Sequence, residues 1–82
     1  MALDTNTLAV IRTLNEYVGQ SISYPFLRDE YIWRGGDRRE LGNTLAQVLR
    51  QFPDCVEHEN RLGERRRIQS WVRIEKKIKI NV

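Results

Sequence analysis

Cysteine and histidine are almost absent from this sequence of 82 residues, which has one of each, Cys55 and His58. A lone cysteine cannot form an intramolecular disulfide or a cysteine-based zinc site, and we expect Cys55 to be a small core residue. The lack of disulfides favours a reducing compartment, and we expect the protein to be cytoplasmic. Strand alternation puts Glu57 and Glu59 on the face opposite His58, so converging metal ligands are also missing.

Long apolar runs and phosphate-binding loops are missing too. No stretch approaches the roughly 20 apolar residues of a membrane span, and the N-terminus lacks the pattern of a signal peptide. Gly35-Gly36 alone is a turn, and a Cys55–His58 nucleophilic pair would have no surrounding pocket in so small a fold. We therefore predict a soluble protein that is not an enzyme, has no cofactor or bound metal, and has no membrane partner.

The sequence does have an uneven charge. Composition is ordinary for a globular chain, with 40% hydrophobic and 30% charged residues, and the length predicts one domain over 1–82. The formal net charge is +3; residues 1–41 have five arginines against six acids, and residues 42–82 have nine lysines and arginines against five acids. The second half is thus expected to present a basic surface to an anionic partner.

Two helices are predicted before the central glycines, at about 5–18 and 25–33. The first is capped by Asp4 or Thr5 and is followed by Gly19, a candidate left-handed residue. Its buried stripe is predicted to be Val10, Ile11, Leu14, Tyr17 and Val18. Ser23 or Tyr24 caps the second helix, Pro25 fits its first turn, and Trp33 at its end is expected to be core.

The third helix, at about 38–52, has the clearest boundaries. Asp37 and Glu40 form a variant of the capping box at its start, and Pro53 ends it. An arc of about 100° holds its apolar residues; they are Leu41, Leu45, Val48, Leu49 and Phe52. Gly42 leaves room for another helix or a sugar–phosphate backbone to approach closely.

A β-hairpin with a charged tip is predicted at about 55–74. On its return strand, alternation places Ile68, Ser70, Val72 and Ile74 on one face and Arg67, Gln69, Trp71 and Arg73 on the other. The tail, 75–82, alternates Ile78, Ile80 and Val82 with charged or polar residues. It either extends the strand, pairs elsewhere or forms a dimer edge.

Three helices and a hairpin with a basic tip, with the stretch PFLRDEYIWRGGDRRELGNTLAQVLRQF before the hairpin, resemble the winged-helix variant of helix-turn-helix. The resemblance covers about residues 5–74. The ending ELGNTLAQVLRQFPDCVEHENRLGERRRIQSWVRI also looks like the terminal winged-helix segment of some phage-type primase–helicases, without their ATPase or primase parts. The resemblance implies an α+β domain in which the third helix is the recognition helix and residues 61–67 form the wing.

The polar face of the third helix fits that role. Arginine, asparagine and glutamine bond base edges in the major groove, and recognition helices place N-terminal residues there. The candidate DNA-binding residues on this helix are Arg38, Arg39, Asn43, Gln47 and Arg50. The wing adds Arg61, Arg65, Arg66 and Arg67, whose crowded charges suit phosphates or a narrow minor groove.

These residues also have ordinary structural interpretations. A solvated polar face would equally explain Asn43 and Gln47, and Glu57 and Glu59 could pair with the wing arginines and neutralise them. Trp71 could stack on a base, although packing is the more usual role of a tryptophan on a small sheet.

We predict a small double-stranded-DNA-binding protein, either a transcription regulator or a replication accessory factor. The alternative is a winged-helix module, or an inhibitor, that binds protein and not nucleic acid. A homodimer or another protein partner stays open.

Overall fold

The computed structural model describes residues 3–80, which form an α+β domain. The described residues fold into three α-helices, two 3-10 turns and one three-stranded antiparallel sheet. In chain order the elements are α1 (Thr5–Glu16), β1 (Ser21–Ser23), α2 (Tyr24–Trp33), a 3-10 turn (Arg38–Glu40), α3 (Leu41–Gln51), β2 (Val56–Leu62), a 3-10 turn (Glu64–Arg66) and β3 (Ile68–Ile74). The three predicted helices and the predicted hairpin are therefore confirmed.

Local capping explains where the first two helices begin. The Asp4 carboxylate accepts a hydrogen bond from the Thr7 backbone N–H (2.6 Å) at the start of α1. Ser23 caps α2 through the Phe26 N–H (3.4 Å), with Pro25 in the first turn. After α1 the chain reverses through Gly19, whose φ of 85° confirms the predicted left-handed residue.

The start of the third helix differs from the prediction. Asp37 does not open a continuous helix; its carboxylate accepts the Arg39 N–H (3.0 Å), a contact two residues along the chain that favours a tight 3-10 turn. The α-helix begins at Leu41, and Glu40 at its N-cap makes no side-chain cap bond. The predicted capping box between Asp37 and Glu40 is thus wrong, because Asp37 satisfies the nearer backbone N–H.

One face of each helix and the inner face of the sheet form the core. Its buried members are Ala9, Val10, Ile11, Leu14, Ile22, Leu27, Tyr31, Leu41, Leu45, Val48, Val56, Val72, Ile74 and Ile78. In α3, Leu41, Leu45 and Val48 are buried as predicted, while Leu49 and Phe52 pack against the core and are partly buried. This fixes the rotation of α3, so the opposite side of the helix faces solvent.

Three hydrophobic residues that were predicted to be buried are not. Trp33 is 78% exposed, because it lies on the outer side of α2 from the buried residues Leu27 and Tyr31. Val18 is 40% exposed, since α1 ends at Glu16 and the helical periodicity does not reach it. Cys55 is only half-buried at the edge of the core.

The sheet has the strand order β1-β3-β2, with β3 in the middle. In the hairpin, Val56 lies opposite Ile74 and Leu62 lies opposite Ile68. The predicted alternation on β3 holds, because Val72 and Ile74 are buried on the inner face. The segment 21–23, predicted only as a loop or a tiny strand, is β1 and pairs with β3 from Ser21–Arg73 to Ser23–Trp71.

The tail neither extends β3 nor forms a strand within the described residues. It crosses to α1, where the Asn15 amide donates to the Ile78 carbonyl (2.9 Å) and accepts from the Ile78 N–H (2.8 Å). The Ile78 side chain is consequently held in the core, 1% exposed. Val82, the last residue of the predicted alternation, lies outside the described residues.

No helix in the range 3–80 is long and apolar enough to cross a membrane.

Two glycines are expected to respond in opposite directions to alanine. A Cβ at Gly36 would lie 2.4 Å from ring atoms of the fully buried Tyr31, whereas a Cβ at Gly42 on α3 would meet no described atom within 4 Å beyond its chain neighbours and the backbone of its own helix. We expect Gly36→Ala to lower the free energy of unfolding by about 1–3 kcal/mol through overpacking. Gly42→Ala is expected to raise it by about 1 kcal/mol through helix propensity. Urea denaturation of both variants checks this, and equal effects would contradict the packing around Tyr31.

Candidate nucleic-acid interface

The solvent face of α3 carries a row of side chains that can bond to bases. Asn43, Gln47 and Arg50 are exposed, and their spacing of four and three residues places them on one side of the helix. The buried residues of α3 lie on the other side. Within residues 3–80 no other element would crowd a Cβ at Gly42 beside this row, so close packing of a neighbouring helix does not account for the glycine. A molecule that approached this side of α3 would therefore contact, along the helix axis, the side-chain amides of Asn43 and Gln47 and the guanidinium of Arg50.

Arg38 and Arg39 lie in the 3-10 turn just before α3, and both are exposed. Arg39 makes a loose ion pair with Asp37 (Nη2 to Oδ2, 3.5 Å), with 88% of its side chain exposed. The pKa of Asp37 is lowered, first by the Arg39 backbone N–H and then by the Arg39 side chain. Asp37 is thus an anion that partly offsets Arg39, while Arg38 makes no ion pair in the part of the chain that the structure describes.

The hairpin tip, defined as residues 63–67, concentrates positive charge. Arg65, Arg66 and Arg67 are exposed. Across residues 3–80, none of the three forms an ion pair. The predicted alternative, in which Glu57 and Glu59 pair with the wing arginines, is found for one pair only, Glu59 with Arg61. Glu59 also approaches Arg73 (3.9 Å).

The backbone at the hairpin tip is unusual for arginine. Arg65 (φ 60°) and Arg66 (φ 59°) both have positive φ. The turn is closed by the Arg67 N–H donating to the Glu64 carbonyl (3.4 Å) and by the Gly63 N–H donating to the Arg67 carbonyl (2.7 Å). Two successive residues of positive φ are typical of the primed hairpin turns, where Asn-Gly is the favoured sequence. Arginine in this conformation costs about 1–2 kcal/mol per residue.

Arg61 is set apart from the hairpin tip. It lies on β2, where its Nε and Nη2 both donate to the Glu59 carboxylate (3.2 and 3.0 Å). Its guanidinium carbon is 4.4 Å from the centroid of the Trp71 ring, a cation–π contact across the two strands. Arg61 is therefore held against the outer face of the sheet, and Trp71 is half-buried beneath it in a packing role.

The structure thus brings the candidates together in two groups. Asn43, Gln47 and Arg50 share a face of α3, and Arg65–Arg67 share the hairpin tip. Arg38 and Arg39 precede the first group, while Arg61 belongs to a local ion-pair network.

A groove of about 530 Å³ separates the start of α2 from β3; it is lined by Ser23, Tyr24, Pro25, Ile68, Gln69, Ser70 and Trp71.

Sequence reasoning missed an exposed apolar pair beside the hairpin tip. Leu62 and Ile68 lie opposite each other across the hairpin, and each is 73% exposed. The alternation of side chains along each strand could have identified this pair, because Leu62 and Ile68 lie on the same face of the sheet as Val56 and Val72. On that face burial decreases toward the hairpin tip, because Val56 and Val72 are buried whereas Leu62 and Ile68 are exposed.

No protein-family model matches the chain, and no curated protein or solved structure shows a significant match to it. Among residues 3–80, no group of three or more histidine, cysteine, aspartate or glutamate side chains is placed to hold a metal ion.

Proposed function

We propose that the protein is a small winged-helix domain that binds double-stranded DNA. In this proposal α3 enters the major groove and the hairpin tip lies on the adjacent backbone or minor groove. The three helices followed by an antiparallel hairpin, with Gly35-Gly36 ahead of α3, support the winged-helix assignment. A transcription regulator or a replication accessory factor is the setting that we infer.

The exposed face of α3 supports the major-groove contact. Asparagine and glutamine can bond adenine in a bidentate manner and arginine can bond guanine. Asn43, Gln47 and Arg50 supply these groups in one row, at spacings that a major groove admits when a helix lies in it. Arg38 and Arg39 precede the row and would reach phosphates at the edge of the groove.

The hairpin tip is the observation that carries the proposal. Three arginines without ion pairs within residues 3–80 repel one another, and two of them adopt a strained backbone conformation. Strained residues persist where the surrounding structure or a function retains them, and they cluster at binding sites. The negative charge of a DNA backbone would offset the repulsion among the arginines, and each arginine that contacts a phosphate would also release a condensed counterion, which favours binding.

The proposal is tested by an electrophoretic mobility shift with a random-sequence duplex over a range of salt. We expect binding at about 50 mM salt that weakens steeply as salt rises. Absence of binding even at that low salt would contradict the proposal.

We expect α3 to supply sequence preference. Asn43→Ala or Gln47→Ala should relax the preference at one or two base pairs, by about 1–3 kcal/mol each, and leave non-specific affinity nearly unchanged. Selection of bound sequences from a random pool, with each variant and with the parent, measures this. If both variants select the same sequences as the parent, this face of α3 is only solvated.

One observation favours the alternative function. Trp33 is 78% exposed at the end of α2, and the Arg34 guanidinium lies 5.5 Å from its ring centroid. Tryptophan and arginine are enriched among the residues that contribute most to protein–protein binding, although the Arg34 side chain is only 16% exposed and pairs with Glu30. If the mobility shift finds no DNA binding, we propose instead a protein-interaction module that uses Trp33, and Trp33→Ala should then weaken capture of that partner.

A further inference from the structure

The outer edge of β2 is unoccupied within the described residues. β2 is the last strand of the sheet, because the strand order is β1-β3-β2. Its seven residues, Val56–Leu62, pair with β3 along one side only. An open edge of that length is a template on which another strand can pair.

Hydrogen bonds within the sheet reveal which backbone groups face outward. The Ile74 N–H donates to the Gln20 carbonyl on the β1 side (2.9 Å), so by alternation Val72 also faces β1, and Trp71 and Arg73 face β2. Their partners on β2 are Glu59 and Glu57. The N–H and C=O groups of the intervening residues consequently point away from the sheet; these residues are His58, Asn60 and Leu62.

The sequence of this edge is self-complementary. When two copies of residues 56–62 run antiparallel about Glu59, Val56 of one copy lies opposite Leu62 of the other. Glu57 then lies opposite Arg61, and His58 lies opposite Asn60. We propose that a second copy of this chain pairs with β2, antiparallel and about a two-fold axis through Glu59. This inference rests on the sheet edge alone and is independent of DNA binding.

The alternation of inward- and outward-facing backbone groups along β2 is compatible with this register. His58 lies opposite Asn60 of the partner subunit, and both have outward-facing N–H and C=O groups, so the two residues can exchange both hydrogen bonds. By two-fold symmetry Asn60 does the same with the partner's His58. The Val56 N–H already donates to the Phe52 carbonyl (3.2 Å), so the new ladder is centred on residues 58–60.

Charge complementarity selects this partner. Glu57 forms no ion pair within residues 3–80 and lies opposite Arg61 of the partner subunit in a non-hydrogen-bonded pair, where side chains are closest. Arg61 bonds Glu59 through Nε and Nη2, which leaves Nη1 available for the incoming carboxylate. Symmetry repeats the ion pair, so two such contacts form at once.

The register also has a cost and a compensation at Glu59. Glu59 meets its own copy on the axis, and like charges directly opposite destabilise a sheet. Each Glu59 is, however, flanked by Arg61 at 3.0 Å and Arg73 at 3.9 Å, which offset the two negative charges.

The exposed Leu62 gains a neighbour in the pair. It is 73% exposed in the monomer and would lie opposite Val56 of the partner subunit, on the same face of the extended sheet. The edge is short, so we expect a dissociation constant of about 1–100 μM.

Charge reversal at two positions tests the dimer by sedimentation equilibrium. E57R alone and R61E alone place like charges opposite each other, and each should weaken self-association by about 10- to 100-fold. An equimolar mixture of the two variants restores both ion pairs between the positions of Glu57 and Arg61, so it should form a heterodimer that associates more tightly than either variant alone. Glu16→Arg, an exposed reversal on α1, is the matched control and should dimerise like the parent.

A backbone variant tests the pairing separately from the charges. Asn60→Pro removes an N–H that faces solvent in the monomer, a position where an edge strand tolerates proline. The circular dichroism spectrum should therefore be retained while self-association is lost. A parent that stays monomeric up to about 1 mM would overturn the proposal. So would single variants that dimerise like the parent, or a mixture that fails to restore association.

Discussion

Replacing Arg65, Arg66 and Arg67 together by alanine is expected to reduce the salt dependence of DNA affinity by about two to three units of log–log slope. Each arginine that contacts a phosphate contributes about 0.9 to the slope. The lower end of the range applies if only two of the three arginines contact phosphates. Affinity should fall about equally for all duplex sequences, because phosphates carry no sequence information directly. Fluorescence anisotropy with a labelled random duplex, titrated at several salt concentrations, measures the slope.

Two controls make this result specific to the hairpin tip. Arg12→Ala removes an exposed arginine from α1, far along the chain from the hairpin, and should leave the slope of the parent unchanged. Unfolding by urea should show that the triple variant stays within about 0.5 kcal/mol of the parent, as surface changes usually do. A well-folded triple variant with the parent's slope would remove the hairpin tip from the interface and favour the protein-binding alternative.

The largest expected effect on stability is that of Leu45→Ala, which should lower the free energy of unfolding by about 2–5 kcal/mol. Leu45 is 5% exposed, and it lies between Leu41 and Val48 in the buried row of α3. The truncated side chain loses its transfer free energy and leaves a cavity among the core residues of the helices. Urea denaturation monitored by circular dichroism measures the loss.

Gln47→Ala is the matched control for Leu45→Ala, because Gln47 is exposed on the opposite side of α3. Its effect should stay within about 0.5 kcal/mol. If Leu45→Ala cost nothing, or if Gln47→Ala cost as much, the rotation of α3 would be wrong. The row Asn43, Gln47 and Arg50 would then not face solvent, and the major-groove proposal would lose its basis.

The elements that the sequence predicts well are those with strong local signals. The apolar row of α3 predicts its buried face because helical periodicity alone fixes which side chains share a side. Alternation likewise predicts that Val72 and Ile74 of β3 are buried together. Gly19 is predicted correctly, since the end of a helix commonly requires a residue of positive φ.

The features that the sequence did not predict depend on contacts between distant segments. Ile78 is buried because the Asn15 amide, 63 residues away, binds its backbone. Trp33 is exposed because it lies on the side of α2 that faces away from the buried Leu27 and Tyr31. No local pattern distinguishes an isoleucine in a charged tail or a tryptophan at a helix end from a surface or core residue.

Of the candidate site, composition and spacing predicted which side chains are exposed, but not which charges are already neutralised. Arg61 and Arg65 are indistinguishable in the stretch RLGERRR. Arg61 nevertheless forms an ion pair with Glu59, whereas Arg65 forms no ion pair within residues 3–80. The positive φ of Arg65 and Arg66 is equally hidden, because their sequence is not one that favours a primed turn.

One double variant tests whether the hairpin tip keeps two strained arginines because they bind DNA. Arg65→Asn with Arg66→Gly gives the turn its favoured sequence and removes two charges. We predict opposite changes: a free energy of unfolding higher by about 1–3 kcal/mol, and a DNA affinity that is lower and less salt-dependent, by up to about two units of slope. A stabilised variant that binds the random duplex with the parent's affinity and salt dependence would contradict the proposal that the strained arginines bind DNA.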